Sequence, residues 1–100
     1  MSFDCISVED TKRLLEKDGV TVIDIRDITS FSKGHINSAI HIDDINIDNF
    51  LNEKDKNATI IIYCYHGVSS KSAANFFSQN GFKNVMSMNN GYAGWIWYEI

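Results

Sequence analysis

The sequence predicts an α/β protein with a largely parallel sheet. Two observations carry this prediction. Continuous β-branched runs recur, most clearly at residues 20–25 and 59–63. Between them lie stretches whose apolar residues repeat at helical spacing. A strand without apolar/polar alternation is one covered on both faces, and helices packed on both sides of a parallel sheet supply that cover.

The elements follow in chain order. Ser7 stands where a helix N-cap would, with Asp10 at the third helical position as in a capping box. Val8, Thr11, Leu14 and Leu15 share one face of that helix, and Gly19 is expected to end it. Residues 20–25 form the first strand. Asp27 or Thr29 then caps a short helix through Phe31, closed by Gly34. Residues 39–42 read as a second buried strand and residues 44–51 as another short helix. Residues 59–63 are the strongest strand in the chain. From Ser70 the pattern turns helical, with Ala73, Ala74, Phe76 and Phe77 apolar. Gly81 closes this helix, and Phe82 can fold back on Phe77 as in a Schellman motif. Residues 85–88 are a last short strand, Asn89-Asn90-Gly91 a turn and residues 92–97 a final helix.

At 100 residues the chain is expected to form one domain over residues 1–100, large enough for its own core. The net charge is -4, and the nine Lys and Arg are scattered between Lys12 and Lys83. Nucleic-acid binding needs a basic stripe against the phosphates, so that class is excluded. No apolar run approaches the ~18 residues of a membrane span. The opening Met1-Ser2-Phe3-Asp4 lacks the features of a signal peptide. A cytoplasmic protein is expected. Cys5 and Cys64 are too far apart for a CxxC motif, and a reducing compartment disfavours a disulfide between them. The three His and two Cys do not show metal-ligand spacing, and neither metal nor cofactor is expected.

The chemistry concentrates at Cys64. It follows the strongest strand and precedes a helix by a few residues. Ligands of parallel α/β sheets bind beyond the carboxyl ends of strands. A loop entering a helix there aims backbone N–H groups at one spot, and the helix dipole adds positive potential. A cysteine at that spot should have a depressed pKa, and its thiolate is the reactive form. Gly67 permits a tight turn, and Ser69 or Ser70 can cap the helix. Lys71 sits in the first turn, against the local dipole preference. It either draws an anionic substrate toward Cys64 or is a solvated surface lysine.

The run Cys64-Tyr65-His66-Gly67-Val68-Ser69-Ser70-Lys71 resembles the active-site loop of the rhodanese family. Val22-Ile23-Asp24-Ile25-Arg26-Asp27, then Phe31, Gly34-His35-Ile36 and Ala39, are similar to the family's Asp-x-Arg and Gly-His-Ile signatures. Asn90-Gly91-Tyr92-Ala93-Gly94-Trp95 resembles its C-terminal Gly-x-x-x-Trp. The likeness covers nearly the whole chain in order. It implies a single domain with a five-stranded, mainly parallel sheet flanked by helices. It implies that Cys64 takes sulfane sulfur from thiosulfate and passes it to a thiophilic acceptor. That acceptor is cyanide in an assay, and in the cell a thiol such as a thioredoxin-like dithiol. The loop residues Tyr65 to Ser70 would hold the outer sulfur, and two-step nucleophilic catalysis implies ping-pong kinetics. Many members carry Arg where this chain has Ser69; the serine form resembles a small bacterial subgroup.

Three other readings accompany this one. A persulfide carrier in a sulfur relay needs the same cradle. The related phosphatases and arsenate reductases end their loop in Arg, where this chain has Ser70. A purely structural Cys64 would be unreactive. Asp24 and Arg26 read as a structural ion pair, His35 and His41 as structural, and Cys5 as incidental. His66 is the candidate for tuning the thiolate, and Tyr65 for the pocket wall. The aromatic tail from Tyr92 to Tyr98 is expected to pack its rings on the sheet, or else to meet a partner.

Overall fold

The computed structural model describes residues 3–99; Met1 and Ser2 of the N-terminal stretch lie outside the described residues. Five strands form one sheet in the order β1-β5-β4-β2-β3, with every neighbouring pair parallel. The strands are β1 (Phe3–Ile6), β2 (Val20–Asp24), β3 (Ile40–His41), β4 (Thr59–Tyr63) and β5 (Asn84–Met88). The helices are α1 (Val8–Leu15), α2 (Ile28–Lys33), α3 (Ile47–Glu53), α4 (Ser69–Gln79) and α5 (Gly91–Glu99). The five-stranded sheet flanked by helices agrees with the expected fold class.

Alternate residues of the central strands feed two cores. Val22, Ile61, Tyr63 and Met88 pack with Val8 of α1 and Trp95 of α5. Ile23, Ile60, Ile62 and Val85 pack with Ala74 and Phe77 of α4. Both faces of β2 and β4 are therefore buried, which is why these strands show no polar alternation.

Local signals place several helix ends. Ser7 Oγ accepts the Asp10 N–H at 3.0 Å, and Asp27 Oδ2 accepts the Ser30 N–H at 3.1 Å. At the end of α4, Gly81 is left-handed at φ 96°. The Gly81 N–H reaches Ser78 O at 3.1 Å and the Phe82 N–H reaches Phe77 O at 3.2 Å, while the Phe77 and Phe82 rings meet edge to face. That is the anticipated Schellman motif.

Elsewhere the structure differs from the sequence expectation. β1 pairs with β5 although no strand is expected before α1. α1 stops at Leu15, and Gly19 instead serves the turn into β2 at φ 87°. The third strand has two residues at the sheet edge, with Ile40 exposed, so it is not a buried strand. α3 begins three residues later than expected because Asp43 Oδ1 accepts the N–H groups of Ile45 and Asn46, holding that segment in a turn. Of the aromatic residues of α5 only Trp95 is buried, while Ile96, Trp97 and Tyr98 face outward, so the tail does not lay its whole ring face on the sheet.

Candidate active site

Cys64 leaves the carboxyl end of β4, and α4 begins five residues later. The backbone folds the intervening loop around the sulfur. Gly67 N–H points at Cys64 Sγ from 3.2 Å and Ser70 N–H from 3.3 Å. Ser70 Oγ stands 3.5 Å away. Burial pushes the Cys64 thiol up, but bonds from the Ser70 hydroxyl and from the Ser70, Gly67 and His66 N–H groups outweigh it. The thiol is held below its ordinary value. Its folded value lies below the unfolded one, so it contributes stability above the ordinary thiol pKa that is lost as pH falls through the folded value.

The start of α4 corrects one expectation. Val68 occupies the N-cap position, and neither Ser69 nor Ser70 caps with its side chain. Cys64 Sγ takes the Ser70 N–H, which a capping oxygen would otherwise accept. The Ser70 hydroxyl is thereby free to turn inward, where Ser87 Oγ of β5 meets it at 2.7 Å. Ser87 is a site residue that the sequence reading missed. Its signal was a lone hydroxyl between the methionines of an apolar strand.

A second segment fastens the loop from below. The Tyr92 N–H donates to Cys64 O at 2.8 Å and the Ala93 N–H to Tyr65 O at 3.0 Å. This approach requires glycine twice. A Cβ on Gly67 would meet Asn90 N at 2.7 Å, and one on Gly91 would meet Cys64 O at 2.5 Å. Both glycines also have positive φ. Gly91→Ala is expected to displace the loop and lower sulfur-transfer turnover by about tenfold or more. Its loss of stability is expected at about 1–3 kcal/mol, read from urea unfolding. Unchanged turnover would mean the loop is positioned without this contact.

The remaining loop residues surround the sulfur differently. Tyr65, His66, Val68 and Ser69 are exposed, and the Tyr65 and His66 rings meet edge to face. Tyr65 borders an open groove of about 300 Å³ shared with Arg26, Lys33, Gly34 and Tyr92, which Cys64 does not line. A larger cavity of about 480 Å³ lies between α3 and α4 and is lined by no residue of the loop. Lys71 is the third residue of α4 and is exposed. Cys5 is exposed on the edge strand β1. Among the described residues, no three His, Cys, Asp or Glu side chains gather as a metal site would require.

Asp24 and Arg26 form the buried ion pair expected of them. Arg26 Nη2 lies 2.7 Å from Asp24 Oδ2, with the two side chains 6% and 0% exposed. Nη2 also donates to Gly34 O at 2.6 Å, and the guanidinium lies 4.1 Å over the Tyr92 ring. The Nε and Nη2 edge is thus occupied, not offered to an oxyanion. His41 Nε2 bonds Arg26 O at 2.6 Å, and His35 stacks on Phe31 and bonds its carbonyl. Both histidines hold backbone, as expected.

The model of the rhodanese-like domain matches residues 7–96, in which Cys64, its loop, Ser87 and the Asp24–Arg26 pair all fall. The chain belongs to the rhodanese-like domain family. A thiosulfate sulfurtransferase GlpE from Pseudoalteromonas translucida is 42% identical over 95% of this chain and 90% of its own length. One of the same description from Shewanella oneidensis is 35% identical over 94% of this chain and 93% of its own. Among solved structures, a rhodanese-like domain protein from Staphylococcus aureus superposes with a TM-score of 0.80 at 27% identity, covering 95% of this chain and 91% of that one. No described helix is long and apolar enough to cross a membrane.

Proposed function

We propose that this rhodanese is a thiosulfate sulfurtransferase that carries sulfur as a persulfide on Cys64. The observation that supports it most is the cradle of N–H groups from Gly67 and Ser70 around Cys64 Sγ at the start of α4. The relatives described as thiosulfate sulfurtransferases supply the donor.

The thiolate of Cys64 attacks the outer sulfur of thiosulfate. The new S–S bond forms as the old one breaks, and sulfite leaves with the electron pair. The negative charge then rests on the outer sulfur, in reach of the loop amides between Tyr65 and Ser70 and of the positive end of α4. Lys71 adds a cation that attracts the dianionic donor. A thiophilic nucleophile next attacks the outer sulfur, and the electron pair of the broken bond returns to Cys64 as thiolate. No general base is needed, because Cys64 enters as the anion. A cellular thiol, such as a thioredoxin-like dithiol, fills the acceptor role. The cytoplasm fits because it keeps both cysteines reduced.

Incubation with thiosulfate alone should release one sulfite per chain and add one sulfur atom to the peptide bearing Cys64. Cyanide should then remove that sulfur as thiocyanate. Sulfite release only when cyanide is present would sink the two-step mechanism. Loading by an organic persulfide but not by thiosulfate would replace the enzyme reading with that of a carrier in a sulfur relay.

A further inference from the structure

Ser87 lies within β5, on the face that packs against α4. It is wholly buried, as is Ser70, and Cys64 is 7% exposed. A buried hydroxyl in an apolar strand costs stability unless it finds a partner. The partner of Ser87 is Ser70 Oγ at 2.7 Å, and Ser70 Oγ is 3.5 Å from Cys64 Sγ. The three groups form a chain shielded from water.

We propose that Ser87 is a positioning residue for Cys64: its hydroxyl orients that of Ser70 and thereby stabilises the free thiolate. Each hydroxyl has one proton, and the state of the sulfur sets the direction of the chain. Beside a thiol, S–H donates to Ser70 and Ser70 donates to Ser87. Beside a thiolate, both bonds reverse, so Ser87 donates to Ser70 and Ser70 to sulfur. Donation from Ser87 satisfies the Ser70 oxygen and polarises its O–H toward the anion. Without Ser87, Ser70 keeps its own bond to sulfur but becomes a poorer donor.

The catalytic consequence rests on the sulfur-transfer reading. In the persulfide, charge sits on the outer sulfur, beyond the reach of this chain. When an acceptor attacks, charge returns to Cys64 Sγ and the chain stabilises the leaving group. A lower leaving-group pKa speeds departure, whereas a lower pKa makes the attacking thiolate less nucleophilic. Ser87 therefore favours discharge of the persulfide over its loading.

Titratable or charged groups on the surrounding elements are Cys5 of β1, the register partner of Ser87, His66 of the loop, Lys71 of α4, the Asp24–Arg26 pair, Tyr63 of β4 and Tyr92 of α5. None is altered when Ser87 becomes alanine, so a moved pH profile reports the hydroxyl chain. The test follows iodoacetamide alkylation of Cys64 against pH, in a Cys5→Ala background that removes the other thiol without placing a new hydroxyl beside Ser87. Ser87→Ala is expected to shift the thiol/thiolate equilibrium toward thiol by about threefold to tenfold. The same change added to Ser70→Ala should shift it no further. An unmoved profile in Ser87→Ala, or an equal shift in both backgrounds, overturns the proposal. Thermal unfolding of each variant shows that the folded protein is being compared.

In rapid-mixing assays, Ser87→Ala should slow persulfide discharge to cyanide about two- to fivefold while loading stays within about twofold. Equal slowing of both halves overturns the preference for discharge. Alkylation requires no sulfur donor, so failure of the native protein to load would refute the transferase reading while the hydroxyl chain is still decided by the pH profile.

Discussion

Cys64→Ser is expected to reduce thiosulfate-dependent thiocyanate formation at least about a thousandfold, to the background rate. Serine retains the size class and leaves the N–H groups of Gly67 and Ser70 a hydrogen-bond acceptor, so the fold should survive. What it loses is the anion. A thiol held below its ordinary pKa supplies more thiolate at a given pH than a free one, whereas a hydroxyl in the same cradle stays neutral. Oxygen is also less polarisable and does not replace sulfur in the reversible S–S exchange that transfer requires. Cys5→Ser is the matched control and should keep full activity, since Cys5 lies exposed on β1 and is not among the groups bonded to the Cys64 sulfur. Thiocyanate colorimetry on both variants, with circular dichroism for the fold, decides the matter. Persistent turnover in Cys64→Ser would place the carried sulfur elsewhere, and Cys5 would be the first thiol to examine.

The second large effect is on stability. Asp24→Ala should cost about 3–5 kcal/mol, because it leaves the buried guanidinium of Arg26 without its counterion. Nearly all of both side chains is removed from water, so neither solvent nor salt can compensate. A domain of this size has about 5–15 kcal/mol in total, so the midpoint of thermal unfolding should fall by about 15–30 °C. The loss should also reach the site. Arg26 ties the end of β2 to Gly34 O and to the face of Tyr92, whose N–H holds the Cys64 carbonyl. Asp10→Ala provides the contrast. It breaks the Arg13 pair, which is more than half exposed on both sides, and should cost about 0–1 kcal/mol. Calorimetry or urea unfolding separates the two. Similar small losses in both would mean that Arg26 finds another partner.

The parts of this protein that were legible in the sequence are those made by residues close along the chain. Ser7 and Asp27 cap helices by bonding to N–H groups three residues on. The Gly81 motif closes α4 through groups three and five residues apart. The β4 strand, Cys64 and the onset of α4 form one continuous stretch, so the candidate nucleophile and its cradle could be named from it. The Asp24–Arg26 pair spans two residues and was equally legible.

Tertiary structure decided what depends on contacts made across the chain. β1 has little strand pattern of its own and owes its conformation to β5, some eighty residues away. The N-cap role passed from the loop serines to the Cys64 sulfur only because the loop closes back on itself. Gly67 reads as a turn residue in the sequence; only packing shows that its missing side chain admits the backbone of Asn90. Ser87 gives no hint of Cys64 in its neighbours, since the connection runs through a hydroxyl on a facing helix. The physical reason is range. Hydrogen bonds between near neighbours follow from local backbone geometry and leave a local pattern, whereas packing selects partners by shape after the chain has folded and leaves none.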